Sequence, residues 1–395
     1  MPALLDVRTA RDRVLGAVRP LPPVDVALAD SLGRVLAGDL HAGGDVPPFT
    51  NSAMDGFAVR SGPAGRVLRV AGESRAGTPA DAAVSDGTAI RISTGAMLPD
   101  GADAVIMVER TQEDPQAGTV TLHAAAQPGQ NVRGAGEDMR AGTVVLPAGT
   151  VVGAAAVGVA AGAQAASLRC ARRPRVAVLA TGDELVAPGT PLAPGQIHNS
   201  NSLTLAALAT EAGAHVVLVD HVPDHAQATR DAIAAALQDA DVLVLSGGVS
   251  VGPHDHVKGA LAASGVTEDF WGVALRPGKP TWFGTRGAQL VFGLPGNPVS
   301  AMVTFLLFVR PALRALQGAD PAARRIRMPL AHGVPRTAGR DELVRVSFVD
   351  DAAALTGPQG SHVLTSMLAA DGLARIPAGE GELAAGALVD VELLQ

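Results

Sequence analysis

Between Arg175 and Leu316, short continuous apolar runs alternate with stretches in which apolar residues recur at helical spacing. The runs at 175–180, 215–222 and 242–245 are of the kind buried on both faces of a parallel sheet. Helices are predicted over 199–212, 226–237 and 297–316, with another from Asp255, and further strands around Val273 and over 290–292. Such alternation with short loops implies a doubly wound, mostly parallel sheet whose ligand sites lie at the strand C-termini. Two of those termini are glycine-rich: Ser246-Gly247-Gly248, with Gly252-Pro253 beyond it, and Gly293-Leu-Pro-Gly296. Adjacent glycines let the backbone turn sharply and approach a ligand, and a helix N-terminus just beyond suits an anion. One such turn could be an ordinary strand-to-helix connection. Two of them suggest a phosphate-bearing ligand in the crevice above the sheet.

The flanking regions have other periods. Leu5, Val14, Leu15 and Val18 mark an amphipathic helix over 4–18, ended by Pro20, Pro22 and Pro23. A short strand over 24–28 and a helix over 31–36 with Asp30 as its N-cap follow. These elements are too few to bury a core alone, so they should pack on something distant in sequence or on a second subunit. From Gly43 the chain reads as a small β domain, with strands near 66–70, 88–93, 103–108 and 119–122. Its polar turn Asn51, Ser52 and Asp55, closed by Gly56, is either an Asx/Ser turn or a ligand loop. A glycine-rich loop over 129–140, a hairpin over 143–150 and an Ala-rich helix from Gly153 come next. If that helix returns to the N-terminal one, a β domain is nested within a helical domain. Beyond Gly318, strands at 325–330, 342–348, 374–376 and 388–393 read as a small barrel or sandwich. The domains expected are therefore 1–42 with 140–172, 43–139, 173–318 and 319–395.

Composition narrows the function. A chain of 395 residues exceeds one ordinary core. An aromatic share of 3% with no Tyr argues against base-stacking platforms, and a net charge of −7 argues against a phosphate-backbone binder, so no nucleic-acid partner is expected. The lone Cys170 excludes internal disulfides and multi-cysteine zinc sites. The N-terminus has no apolar signal core, and the apolar segment 151–166 is too short to span a membrane. A cytoplasmic protein without a membrane partner is the expectation.

Carboxylates recur at the strand ends: Asp183 and Glu184, then Asp224, then Asp255. Acids gathered beside a phosphate-binding turn suit Mg²⁺, which takes one or two carboxylates and completes its shell with substrate oxygens. Each acid alone could equally cap a helix. Arg276-Pro-Gly-Lys279-Pro280 places two cations on a turn stiffened by proline, which suits an oxyanion. His198, His254 and His256 lie near these loops without metal-ligand spacing and read as local hydrogen-bonders. No G-x-S-x-G elbow, Walker loop or H-E-x-x-H helix is present.

Seven motifs then occur in order: Asn51-Ser-Ala-Met-Asp-Gly56, Thr94-Gly-Ala96, Gly136-Glu-Asp138, Thr181-Gly-Asp-Glu-Leu185, Ser246-Gly-Gly-Val-Ser-Val-Gly252, Pro277-Gly-Lys-Pro280 and Gly293-Leu-Pro-Gly-Asn-Pro-Val-Ser300. Together they closely resemble the MoeA family of molybdopterin molybdenumtransferases, which includes the E domain of gephyrin. The resemblance spans essentially the whole chain. It implies a multidomain α/β-plus-β homodimer: a central α/β domain of molybdopterin-binding (MogA-like) fold, an N-terminal helical region with the inserted β domain, and a C-terminal β-barrel. It implies insertion of molybdenum from molybdate into adenylylated molybdopterin, with Mg²⁺-assisted release of AMP, and contact with the adenylyltransferase that supplies the substrate. Carried over by position, Asp55, Thr94 and Asp138 act from a partner subunit's side of the cleft, while Glu184, Asp224 and Asp255 serve catalysis and the metal. Ser246, Gly247, Gly248, Ser250 and Arg276 contact substrate, Lys279, Pro295 and Pro298 line the anion side, and Arg345 and Ser361 point toward the cleft from the C-terminal domain. In the resemblance, Arg276 stands where relatives often carry lysine, which keeps the charge but changes the geometry, and Gly272 stands where some carry another lysine, which removes a cation, so the anion site is either weaker or completed from elsewhere. An adenylyltransferase of the same α/β fold is disfavoured by the G-G-V-S-V-G form and the full domain set. A receptor-clustering scaffold is disfavoured because no fused domain or interaction linker is present.

Overall fold

A computed structural model describes residues 4–248 and 256–394. The chain forms two compact units, one of residues up to Val24, Gly33–Ala37 and the chain from Arg169 on, the other of Asp25–Leu32 and Gly38–Leu168.

The larger unit is built on a six-stranded sheet. Its strands are β1 (Arg175–Thr181), β2 (His215–Val222), β3 (Val242–Ser246), β4 (Thr267–Trp271), β5 (Trp282–Arg286) and β6 (Gln289–Leu294), in the order β2-β1-β3-β6-β5-β4. The first four in that order are parallel, and β5 and β4 add antiparallel at one edge. Successive side chains of a strand face opposite sides. Val176, Val178, Val242 and Val244 accordingly join one core, and Ala177, Leu179, Leu243 and Leu245 the other. The first core is covered by α1 (Asn201–Glu211) and by a long helix that opens as α4 (Pro298–Thr304), passes through a π turn at Phe305–Val309 and ends with Arg310–Leu316. The second is covered by α2 (Ala226–Asp239) and α3 (Val257–Ala263). Helices on both faces match the doubly wound expectation. The helix Pro298–Leu316 is long and apolar enough to cross a membrane, but 78% of its most apolar window is buried inside the unit, as in a core helix.

The strand expected near Val273 lies earlier, at β4, and Val273 itself makes only a parallel bridge to Leu5. Strand β5 was not anticipated. It enters because Gly284 lets β4 come close: a Cβ there would sit 2.5 Å from the Thr267 carbonyl oxygen. Phe270, Phe283 and Phe292 then stack across β4-β5-β6 with ring centroids 5.7 and 5.0 Å apart.

The N-terminal helix, Val7–Ala17, is capped by Asp6, whose carboxylate accepts from the Thr9 amide at 2.9 Å. Ala10 and Val14 are fully buried in the α/β core, so this helix packs on an element distant in sequence. The Ala-rich helix that was expected to join it, Ala154–Gly162, belongs to the other unit. No helix forms over 31–36. Asp30 instead ends a 3₁₀ turn, Leu28–Asp30; Gly33 takes φ +73°, and Leu36 bridges Cys170.

The C-terminal strands close into a small barrel in the order Ala352–Leu355, Asp341–Val349, Gly372–Ile376, Leu388–Leu393, Arg325–Pro329, with a bridge from Leu330 to Ala353 joining the ends. Val344, Val346, Ala374, Ile376 and Val391 fill it. A short strand from the α/β region, Leu275–Arg276, pairs in parallel with Asp341–Glu342 and attaches to the barrel from outside.

The smaller unit holds a second six-stranded sheet, in the order Ala104–Met107, Gly56–Val59, Thr88–Ile92, Val67–Ser74, Thr119–Leu122, Thr111–Asp114. Phe57, Ile106 and Leu122 pack on one face, Ala58, Ile90 and Val105 on the other. Residues 143–150 form no local hairpin; Val144–Leu146 pairs with the distant Leu40–His41.

Candidate functional site

In the larger unit the C-terminal ends of β1, β3 and β6 converge. Gly247 and Gly248 take φ of +88° and +63°. A Cβ on Gly248 would lie 2.5 Å from Val257 Cγ2 and 2.8 Å from Thr181 Oγ1, so the turn admits only glycine. The second glycine turn approaches the first, with a Cβ on Gly296 only 3.8 Å from Gly247 Cα. Asn201, at the start of α1, ties the two together: its Nδ2 donates to Ser246 Oγ at 2.8 Å and to the Gly296 carbonyl at 2.7 Å. Thr181 Oγ1 lies at the base of these turns, buried and without a hydrogen-bond partner among the described residues.

The acids gather beside this crevice. Gly182 has φ +147°, and a Cβ there would sit 2.5 Å from Glu184 Oε2, so the carboxylate folds back over the turn. Asp183 Oδ1 accepts from the Asp224 amide at 2.9 Å. Desolvation and the negative charges of Asp183 and Glu184 push the Asp224 carboxyl above its ordinary range, while His256 pulls it back. Their oxygen-only donors suit Mg²⁺, which needs one or two carboxylates when a substrate supplies further oxygens. Among the described residues no three metal-ligating side chains cluster tightly enough to hold an ion alone. Asp255 and Ser250, the other expected members of this region, lie outside the described residues.

Two cavities open from the turns. One, of about 530 Å³, is lined by Glu184, Asn201, Pro295, Asn297 and Pro298. The other, of about 470 Å³, is lined by Arg276, Lys279, Arg340, Thr337, Ser300 and Ser361. Both are walled by Pro280 and His362, which makes them adjoining lobes. The lobe with the cations has no carboxylate in its lining. Its turn follows a cis Arg276–Pro277 bond and is held by Thr281 Oγ1 donating to the Gly278 carbonyl at 2.7 Å. Pro295 and Pro298, expected on the anion side, line the acidic lobe instead, because they flank the end of β6 next to Asn201.

The cations differ in how far they are already engaged. Arg276 donates to Glu342 Oε1 at 3.1 Å and to Thr337 Oγ1 at 3.4 Å. The side chains of Lys279 and Arg340 make no hydrogen bond or ion pair among the described residues. Arg345, expected to point toward the cleft, is only 1% exposed. Its guanidinium donates to Ser366 Oγ at 3.0 Å and to the carbonyls of Gln359, Pro358 and Gly360 at 3.1, 3.3 and 3.0 Å. It thereby shapes the loop that presents Ser361 and His362. Ser361 Oγ accepts from Asn297 Nδ2 at 2.9 Å. Gly272 is buried with φ +93°, and a Cβ there would meet Leu4 Cδ2 at 2.8 Å, so the backbone at this position favours glycine.

In the smaller unit the other predicted residues share one loop cluster. Asn51–Ser52 pairs antiparallel with Val132–Arg133, and Ser52 exchanges backbone bonds with Gly95 and Ala96 at 2.8 and 3.0 Å. Asp55 Oδ1 accepts from the Thr94 amide at 2.6 Å and from Thr94 Oγ1 at 3.0 Å, which holds the Asp55 carboxyl below its ordinary range. Asp138 is exposed, its amide donating to the Val46 carbonyl at 2.9 Å. Ser52 does make a turn, donating to the Met54 carbonyl at 2.5 Å, while Asn51 keeps a buried Oδ1 without a partner. Sequence reading missed Asn201 and Arg340, and it gave no role to Thr181 and Asn297, although both stand inside two of the seven motifs. For Asn201 the signal was its place at a helix start beyond a strand end.

Comparison with known proteins adds an independent line. Family models described as the MoeA N-terminal region (domain I and II), a probable molybdopterin binding domain and the MoeA C-terminal region (domain IV) match residues 5–163, 177–315 and 327–394. A Mycobacterium tuberculosis protein named molybdopterin molybdenumtransferase 2 is 39% identical over 391 residues, 95% of this chain and 96% of its own. A molybdopterin molybdenumtransferase of Haemophilus influenzae is 35% identical, over 98% of each chain. The crystal structure of a molybdopterin biosynthesis MoeA protein from Pyrococcus horikoshii superposes with a TM-score of 0.86 at 28% identity, covering 99% of this chain and 100% of that one.

Proposed function

The chain belongs to the MoeA family of molybdopterin molybdenumtransferases, and we propose that the two-lobed cavity of its larger unit is where molybdate meets adenylylated molybdopterin. It is a transferase of molybdenum cofactor biosynthesis. The observation that carries the site assignment is the division of charge: a lobe with three cations and no acid adjoins a lobe bordered by Glu184. Molybdate is a tetrahedral dianion, for which fixed cationic and hydroxyl donors in a confined lobe are the complementary surface. The glycine turns at Gly247 and Gly296 leave room for a phosphate to approach the backbone, and the Asn201 clamp holds that room open.

Glu184 and Asp224 would hold Mg²⁺, with Asp255 as the third acid of the assignment. When bound, the ion would supply charge neutralisation at the phosphate that leaves as AMP. Desolvation, with the repulsion of Asp183 and Glu184, raises the Asp224 carboxyl, and that repulsion is of the kind a cation relieves. Ser246, Gly247, Gly248, Pro295 and Pro298 are assigned to the nucleotide side, and Arg276, Lys279 and Ser361 to the oxyanion. Arg345 is assigned as the support of the Ser361 loop. Asp55, Thr94 and Asp138 are assigned to the same reaction on the family resemblance, with a cytoplasmic homodimer as the working assembly and the adenylyltransferase as the donor of substrate. The domain limits 1–42 with 140–172, 43–139, 173–318 and 319–395 belong to the same proposal.

The test is AMP release from adenylylated molybdopterin by the purified chain, with and without molybdate and Mg²⁺. Molybdate-stimulated release that Lys279→Gln shifts to higher molybdate concentration supports the proposal. Tight pterin binding with no release under any of these conditions overturns it.

A further inference from the structure

We propose that Arg340, which no sequence motif singled out, is the second working cation of the oxyanion lobe and, with Lys279, sets its affinity for a tetrahedral dianion. The inference rests on the reading of that lobe as the molybdate site.

It follows from asking what each candidate cation already holds. Arg345 is buried, with its guanidinium committed to three loop carbonyls and Ser366. Arg276 pairs with Glu342 and keeps a side chain 63% exposed, so its charge is partly neutralised and partly screened. Gly272 supplies nothing. That leaves Lys279 and Arg340, both half-buried in the lining and both without a partner among the described residues. Arg340 stays free although two carboxylates follow it directly in sequence. Asp341 accepts from Arg375 at 2.6 and 2.9 Å and from the Ala378 amide at 3.0 Å. Glu342 accepts from Arg276 and from Thr337 Oγ1. With both neighbouring acids taken and none lining the lobe, the Arg340 charge has no counter-ion among the described residues, and a bound dianion would supply one.

The chemistry of the side chain also matters. A guanidinium presents a planar fork that engages two oxygens of one oxyanion, whereas an ammonium offers a point charge. Arg340 and Lys279 therefore bring different donors to one ligand.

The experiment titrates the full chain with molybdate alone by calorimetry, and measures molybdate KM and kcat in AMP release, for Arg340→Gln, Arg340→Lys and Lys279→Gln. Loss of a charge-assisted pair predicts roughly tenfold or greater weakening for Arg340→Gln. Arg340→Lys should recover only part of that loss, and the effect should fall on the molybdate KM more than on kcat. The Arg340 side chain has no partner among the described residues, so thermal unfolding should not move. If Arg340→Gln binds molybdate like the unmodified chain while Lys279→Gln weakens it, Arg340 is not a ligand and the lobe reading stands. If neither variant changes binding, the lobe reading falls and the inference falls with it. An unfolded Arg340→Gln leaves Arg340→Lys to decide: full affinity in that charge-conserving variant refutes the role of the fork.

Discussion

Arg345→Met separates a supporting role from direct oxyanion contact. The substitution keeps the apolar stem and removes a guanidinium that donates four hydrogen bonds inside the barrel wall. Charge-assisted hydrogen bonds are each worth roughly 1.5–3 kcal/mol, but they do not simply add, because burying a cation without a carboxylate is itself costly. That cost is visible in the Arg345 guanidinium, whose pKa burial lowers. Subtracting it leaves a net loss of about 3–4 kcal/mol, within the range seen when a buried polar network is broken. For a unit of this size that corresponds to about 6–12 °C in melting temperature. Differential scanning calorimetry would read the drop, and hydrogen exchange should show the amides of 356–363 losing protection first. Turnover should fall through misplacement of Ser361, with Arg345→Lys intermediate because an ammonium cannot reach all four acceptors. An Arg345→Met protein that melts within a degree of the unmodified chain yet needs far more molybdate would refute this reasoning and make Arg345 a direct ligand.

Three further outcomes follow from the site. Gly248→Ala should cost about 2–4 kcal/mol in a urea melt and weaken adenylylated-pterin binding, because φ +63° disfavours a side chain and the new Cβ meets Val257 and Thr181. Asp224→Asn should lower AMP release and raise the melting temperature at pH 7. The folded-state pKa of this carboxyl lies above its ordinary 3.8, so the native protein binds the proton more readily than the unfolded chain, and stability is lost as pH rises through that window. Melts of the two proteins should therefore draw together as pH falls toward 4, and a gap that widens instead would contradict the sign. Glu342→Gln releases Arg276 from a pair whose arginine is 63% exposed and which is worth about 1 kcal/mol, so molybdate titration should show binding tightened up to about fivefold. Weaker binding would mean that Glu342 positions Arg276 rather than competes for it.

What could be read in advance followed burial. The runs at β1, β3 and β6 are apolar because both faces of the sheet are covered, and glycine at 247, 248 and 296 marks where backbone must come close. Strand β4 was hidden by Glu268 and Asp269, and β5 by Gly284, whose lack of a side chain matters only once its neighbour is in place. The edge strand Thr111–Asp114 is polar because only alternate residues are partly covered. The home of the N-terminal helix depends on a contact across most of the chain, which periodicity cannot encode. The site residues divide the same way. Acids and glycines at strand ends were legible from position, whereas the burial of Arg345 and the freedom of Arg340 depend on which carbonyls and carboxylates fold beside them.

The short ladder between Leu275–Arg276 and Asp341–Glu342 has a thermodynamic consequence. It places the anion turn and the barrel wall on one hydrogen-bonded strip, continued by the Asp341 amide on the Ala274 carbonyl at 3.0 Å. The barrel therefore cannot tilt against the α/β layer without moving Arg276 and the turn that carries Lys279. Linkage makes this reciprocal: whatever oxyanion occupancy does to the barrel's tilt, a force on the barrel does to oxyanion affinity. Molybdate should then slow amide exchange in barrel strands that never touch it, and a ligand gripping the outer barrel wall would act as an effector of this chemistry from a distance.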